Sequence, residues 1–325
     1  MASASPPAPR LQVLRWQSRT QVFREQLDGL ELAMLRIPAG AFLMGSPPEE
    51  SERQESEGPQ HLVELGEFLM GQTPITQAQW RQVAGWSERP GESWGRELDP
   101  DPSFFQPRRH PKATNSYGEG IFSPLEGESN SDQRPVDNVS WLDAIEFCNR
   151  LSQRTGRHRH YTLPSEAQWE YACRAGTIEP FHFGPTITPA LANYDGNTTY
   201  ANGPEGEYRK QTTPVGLFPA NAWGLHDMHG NVWEWCLDHW HDSYEGAPAD
   251  GSAWLNTTEP TKKTTTEKGN DSDTEEESRL LRGGSWLLIP GFCRSAYRLH
   301  GQPDNANYDV GFRVVCLPQG PSINP

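Results

Sequence analysis

Between Leu280 and Cys316 the chain concentrates glycine, arginine and large aromatics in short blocks: LLRGGSW (Leu280 to Trp286), CRSAYR (Cys293 to Arg298), PDN (Pro303 to Asn305) and GFRVVC (Gly311 to Cys316). A related block, GLHDMHGNVWEWC (Gly224 to Cys236), lies upstream. Each residue type has a reason to be there. Gly283, Gly284 and Gly311 allow tight backbone, Trp286 and Phe312 are apolar anchors, and Arg294 and Arg298 can hold loops through charged hydrogen bonds. Such blocks fix turns and core contacts and leave only the spacers between them free to vary.

The elements upstream read as strands first and helices after. MLRIPAGAFLMGS (Met34 to Ser46) and HLVELGEFLMGQ (His61 to Gln72) alternate well enough for strands, with the polar loop PPEESERQESEGPQ between them. Thr76 to Gln79 forms a capping box that opens a short helix through Trp80 and Val83. A longer helix starts at Ser140, with Trp141, Ala144, Ile145, Cys148 and Leu151 on one stripe and Gly156 as its stop. Another opens with the box Ser165 to Gln168 and ends at Gly176. This pattern predicts an α+β domain with two main helices, closed by its own C-terminal strand. Its 30 Gly and 29 Pro make it loop-rich.

We place the domain at residues 30–317, between an N-terminal extension (1–29) and a tail (318–325). Two insertions interrupt it. Residues 91–134 have no apolar period, and 256–278 carry no large apolar side chain to offset the entropy of ordering, so the second is expected to be disordered.

Charge and composition exclude several classes of function. A net charge of -15 leaves no surface for tracking phosphates, so no nucleic acid is expected. Arg157 to His160 read as a solvated turn. No stretch is long and apolar enough for a membrane span, and the N-terminus lacks a signal-like apolar region, so a cytoplasmic protein is expected. Five cysteines, Cys148, Cys173, Cys236, Cys293 and Cys316, read as buried thiols. Trp233 and Trp235 lie on one face of an extended segment and pack inward. Asp238 to Asp242 (DHWHD) reads as a solvated, acidic strand end rather than a metal site.

Together these blocks resemble the formylglycine-generating enzyme (sulfatase-modifying factor) family, a variant of the C-type lectin fold. The resemblance implies a structural calcium held by the side chains of Asp227 and Glu234 and the carbonyls of Gly230 and Val232. A second, looser set would include Asn193 and Tyr194, with a distal ligand near Glu207. Carboxylates and carbonyls on a glycine-kinked turn are the hard oxygen donors calcium prefers. Residues read alone, Asp227 and Glu234 serve equally well as turn caps. The resemblance also implies disulfides joining the helical region to the C-terminal strands in those members that have them.

The family's enzymes hold copper(I) between two thiolates, since a soft metal prefers sulfur. The matching positions here are Leu288 and Cys293, so one thiolate is missing and no copper is expected. Ser285 and Trp233 match positions that line the enzymes' oxygen pocket. No nucleophile elbow or phosphate-binding loop replaces them.

The spacers carry a different signal. Leu287, Leu288, Ile289, Gly291, Phe292, Leu299, His300, Gly301, Ala306, Asn307, Tyr308 and Asp309, with Tyr297, show no strand alternation. This layout resembles the variable proteins of diversity-generating retroelements, whose C-terminal segment is rewritten at adenines of a template. Asparagine codons mutated only at adenine cannot yield Lys, Glu, Gln, Met or Trp, and from Leu287 to Asp309 only Gln302 is of those types. The resemblance implies a non-enzymatic protein that binds an unknown protein or other macromolecular ligand through this face. The alternative is a copper-dependent oxidase acting on a protein cysteine.

Overall fold

A computed structural model describes residues 19–107, 130–156, 159–256 and 277–318. Most of the second insertion lies outside them, so its expected disorder does too, as does the middle of the first. The described ends of the first insertion are irregular, and Leu98 and Phe105 within it are buried.

The largest sheet has five strands in the order β1-β2-β5-β11-β6. Here β1 is Val22–Leu27, β2 Leu30–Ile37, β5 Phe68–Gly71, β6 Arg159–Thr162 and β11 Val315–Pro318. β1 pairs with β2 along its whole length, from Val22↔Leu35 to Leu27↔Leu30, so the sheet begins ahead of residue 30. The GFRVVC block ends in β11, which lies between β5 and β6 and is antiparallel to both. Each long strand expected upstream is in fact two strands. A break at Pro38 splits β2 from β3 (Gly40–Met44), and another at Gly66 splits β4 (His61–Leu65) from β5, because β3 and β4 leave the main sheet to pair with each other.

A four-stranded sheet, β10-β7-β8-β9, carries the remaining blocks. In it β7 is Trp233–His239, β8 Arg279–Arg282, β9 Leu299–Gly301 and β10 Val310–Gly311. Trp233 and Trp235 are buried, as expected. Arg159 and His160 lie in β6 rather than in a solvated turn, and the Arg159 guanidinium donates to Glu25 Oε2 at 2.6 Å.

The three helices among the described residues start where the sequence places them: α1 at Gln77–Ala84 and α3 at Glu166–Arg174 behind their capping boxes, and α2 at Trp141–Thr155 behind Ser140. In each, the N-cap hydroxyl of Thr76, Ser140 or Ser165 accepts from the N–H three residues on, and that residue's side chain accepts from the cap N–H. None of them is long and apolar enough to cross a membrane. α3 is buried along most of its length and brings Glu166 and Glu170 to the C-terminal blocks.

Those carboxylates meet buried arginines. Arg282 donates to Glu170 Oε2 and to the carbonyls of Ser295, Ala296 and Tyr297, gathering one turn of the CRSAYR block onto α3. Arg298 donates to both oxygens of Glu166, at 2.6 and 3.0 Å. Arg294 grips Glu57 in the polar loop at 2.6 and 2.8 Å. Arg313 grips Glu234 in the same way. Burial alone would raise the Glu170 carboxyl pKa, but Arg174 and Arg282 hold it below its ordinary value. Removing one partner of such a pair strands a charge in a dry site. Arg282→Met is therefore expected to cost about 3–5 kcal/mol in urea unfolding; a loss below about 1 kcal/mol would contradict the role given to this arginine.

Candidate functional site: the spacer face of the C-terminal blocks

The spacers emerge where the blocks turn. Ile289 is exposed, as are Ala306 and Asn307, while Leu287, Leu288, Phe292, Leu299, His300, Gly301 and Tyr308 are half-buried. Three of the expected face residues are not on the surface. Tyr297 is only 6% exposed, its ring lies among Trp233 and Phe292, and its hydroxyl accepts from Gln54. The Asp309 carboxylate accepts from the Ser285 hydroxyl at 2.8 Å and faces inward. Gly291 is buried beneath Glu52, whose carboxylate fills the space a Cβ would need.

Half-burial here means that one side of each residue packs on fixed framework. Leu288, Phe292 and Leu299 rest on the main core. Leu287 and Tyr308 rest on a separate cluster of Trp286 and Phe105, with Phe104 and Tyr208 beside them. Phe104 packs edge-on against Phe105 at 4.9 Å and tilted against Tyr308 at 5.7 Å. Asp137 holds this loop in place by accepting from the Phe104 N–H at 2.6 Å. Phe104, Tyr208 and the polar loop were not expected at the face. They come from distant parts of the chain, and no local pattern links them to it.

The positions the resemblance assigns to copper hold no thiolate pair. Leu288 is apolar, and burial pushes the Cys293 thiol well above its ordinary pKa. All five cysteines are free and buried. The Cys173 sulfur lies 3.6 Å from the Ser295 hydroxyl and near the His229 ring, and burial raises its pKa to about 12.

The oxygen donors expected for calcium fit only in part. Glu234 does not fit: Arg313 takes both of its oxygens at 2.6 and 2.7 Å, and the Trp169 indole N–H also donates to Oε2. Glu207 is exposed and pairs with Arg209 at 3.2 Å. Asp227 and Asn193 do keep donors. Asp227 Oδ2 accepts from the Gly216 N–H, but among the described residues the buried Oδ1 has no partner, nor has Asn193 Oδ1. The Asn193 carbonyl accepts from the Asn231 N–H and abuts Gly230. The buried Tyr194 hydroxyl likewise has no partner among the described residues. Among the described residues no three His, Cys, Asp or Glu side chains converge as a metal site. In DHWHD, Asp238 is buried and caps the Glu166 and Trp254 N–H groups, so it is no solvated strand end.

The comparisons with known proteins agree with this architecture. A model of the sulfatase-modifying factor enzyme 1-like domain matches residues 20–317, and the chain belongs to that family. Its fold is the family's variant of the C-type lectin fold. A formylglycine-generating enzyme of Mycobacterium tuberculosis is 31% identical over 319 residues, covering 88% of this chain and 98% of that one. Among solved structures, PvdO from Pseudomonas aeruginosa superposes with a TM-score of 0.65 at 31% identity, covering 93% of this chain and 99% of PvdO. Treponema denticola variable protein 1 superposes with a TM-score of 0.61 at 24% identity, covering 91% and 98%, and shares the fold.

Burial pushes the Asp227 carboxyl up to about 6. A raised carboxyl penalises the folded state as pH rises from the ordinary value through the shifted one. In chelator, Asp227→Asn should therefore be more stable than the parent at pH 7, by on the order of 1–3 kcal/mol, and the gain should vanish below about pH 4. Calcium should raise the melting temperature of the parent and not of the variant, since only the native state would bind it. Identical parent melting curves in calcium and in chelator would remove calcium from this turn.

Proposed function

We propose that this chain is a non-enzymatic binding protein that presents the spacers of its C-terminal blocks to another protein. The observation that carries the reading is Leu288, an apolar side chain where the family's enzymes need a thiolate. The neighbouring Cys293 thiol, held protonated by burial, supports it further. A half-exposed group of Leu287, Ile289, Phe292, Leu299 and Tyr308, seated on a rigid framework, is the kind of apolar surface at which partners anchor. The shared fold with a variable protein fits the same reading. A second reading, oxidation of a protein cysteine, draws on the names of the enzymes to which the chain is about 30% identical.

One experiment separates the two readings. Purified protein is supplied with copper(I), oxygen and a CxPxR peptide, and the product is trapped as an aldehyde adduct. No turnover is expected. Catalytic turnover would refute the binding reading. The face itself is tested by replacing Leu287, Ile289 and His300 together with Ser. The variant should fold and lose less than the roughly 2–5 kcal/mol expected for one buried Leu cut to Ala.

A further inference from the structure

The polar loop Pro47 to Gln60 is tied to the rest of the molecule chiefly through Arg294 and Arg298 of the C-terminal blocks. Arg294, with its side chain fully buried, donates to Glu50 Oε1 at 2.6 Å, to both oxygens of Glu57 and to the Glu52 carbonyl at 2.7 Å. Arg298 donates to the Ser56 carbonyl, the Gln54 amide donates to the Tyr297 hydroxyl, and the Tyr200 hydroxyl donates to the Ser51 carbonyl. Two carboxylates of the loop, Glu50 and Glu57, are spent inside on this anchorage. Three others, Glu49, Glu52 and Glu55, are exposed. Glu52 sits at φ 60°, a left-handed conformation that a non-glycine residue adopts only under constraint, and its carboxylate lies directly over Gly291. The anchored loop therefore carries an acidic edge that meets the spacers at Glu52 and Gly291, with Glu49 and Glu55 exposed on the same loop.

Nothing cationic in the spacer segment offsets that edge. From Leu287 to Asp309 the lysines and arginines are Arg294 and Arg298 alone, and both are buried and paired. Arg53 of the loop itself is half-buried, its Nε–H donating to the Ser46 carbonyl. Among the described residues, an exposed cation at the far side is Lys210, lying over Tyr208. On that side the half-buried Asp195 adds negative charge, its N–H bound to the Leu288 carbonyl. The net charge of the whole chain, -15, has the same sign. Apolar side chains that change from one spacer to another would thus be set against a carboxylate edge that does not change.

We infer that the partner is a basic protein segment, one that sets a lysine or arginine against Glu49, Glu52 and Glu55 while an apolar side chain enters the spacer face. This rests on the binding reading above. The acidic edge supplies steering and orientation common to all partners, and the spacers supply discrimination.

The probe is a phage-displayed library of random dodecapeptides, panned on the full chain at low salt. Selected peptides should pair Lys or Arg with Leu, Phe or Trp. Their association rate should fall about tenfold or more between low and physiological salt. Glu49→Gln, Glu52→Gln and Glu55→Gln combined should weaken them by about tenfold and flatten the salt dependence, at an unchanged melting temperature. If Glu52→Gln perturbs folding, the pair Glu49→Gln and Glu55→Gln is expected to give a smaller loss of the same kind. Neutral or acidic peptides that lose binding on Leu287→Ala and Ile289→Ala, yet ignore the glutamine variants, would overturn the basic partner and leave the binding face standing. Peptides indifferent to both sets, or no selected peptides at all, would overturn both.

Discussion

Four arginines with fully buried side chains, Arg282, Arg294, Arg298 and Arg313, bind this molecule together. Each comes from a C-terminal block, and each ends on a carboxylate contributed by a distant element: α3, the polar loop or β7. Desolvating so many charges is expensive, and an apolar core of the same volume could be as stable. What the ion pairs supply is geometry. A guanidinium has five donors in a rigid fork, and Arg282 uses them to hold three consecutive carbonyls as well as a carboxylate. The turn between Cys293 and Arg298 is thus fixed mainly by framework groups, with Phe292 and the Gly291 carbonyl adding only local contacts.

This explains how so irregular a segment can be well defined. Ordinary loops are held by their own side chains, so changing those side chains changes the loop. Here Leu287 to Phe292 and Leu299 to Asn307 hang between points fixed by glycine, arginine and indole, and their own side chains contribute only partial packing. The framework extends beyond the blocks. Asp137 holds Phe104 at one side, and the Arg294 clamp holds the polar loop at the other.

Local signals were read correctly where they were local. The capping boxes at Thr76 and Ser165 located two helix starts, because a box is complete within four residues and tertiary contacts seldom undo it, and the apolar stripe after Ser140 located the third. The free, buried cysteines and inward indoles also followed from residue type and spacing. The errors came from pairing at a distance. Alternation over Met34 to Ser46 could not reveal that the segment changes sheets at Pro38, since both halves alternate. Glu234 looked like an oxygen donor beside a glycine turn, but Arg313 lies far along the chain and claims both of its oxygens. Tyr297 lay among spacers and was read as one of them, although a partner in the polar loop, Gln54, draws its hydroxyl inward.

β11 lies in the middle of the main sheet, yet it follows the spacers in the chain. β5 and β6 are bridged only through it, and it pairs with both across Val315 and Cys316. A chain cut short or thrown out of frame anywhere in the spacers would lack that bridge and would leave two open sheet edges over an exposed core. Truncation within a loop near the C-terminus would thus cost the main sheet an interior strand, so damage at the surface of this molecule is felt first in its core.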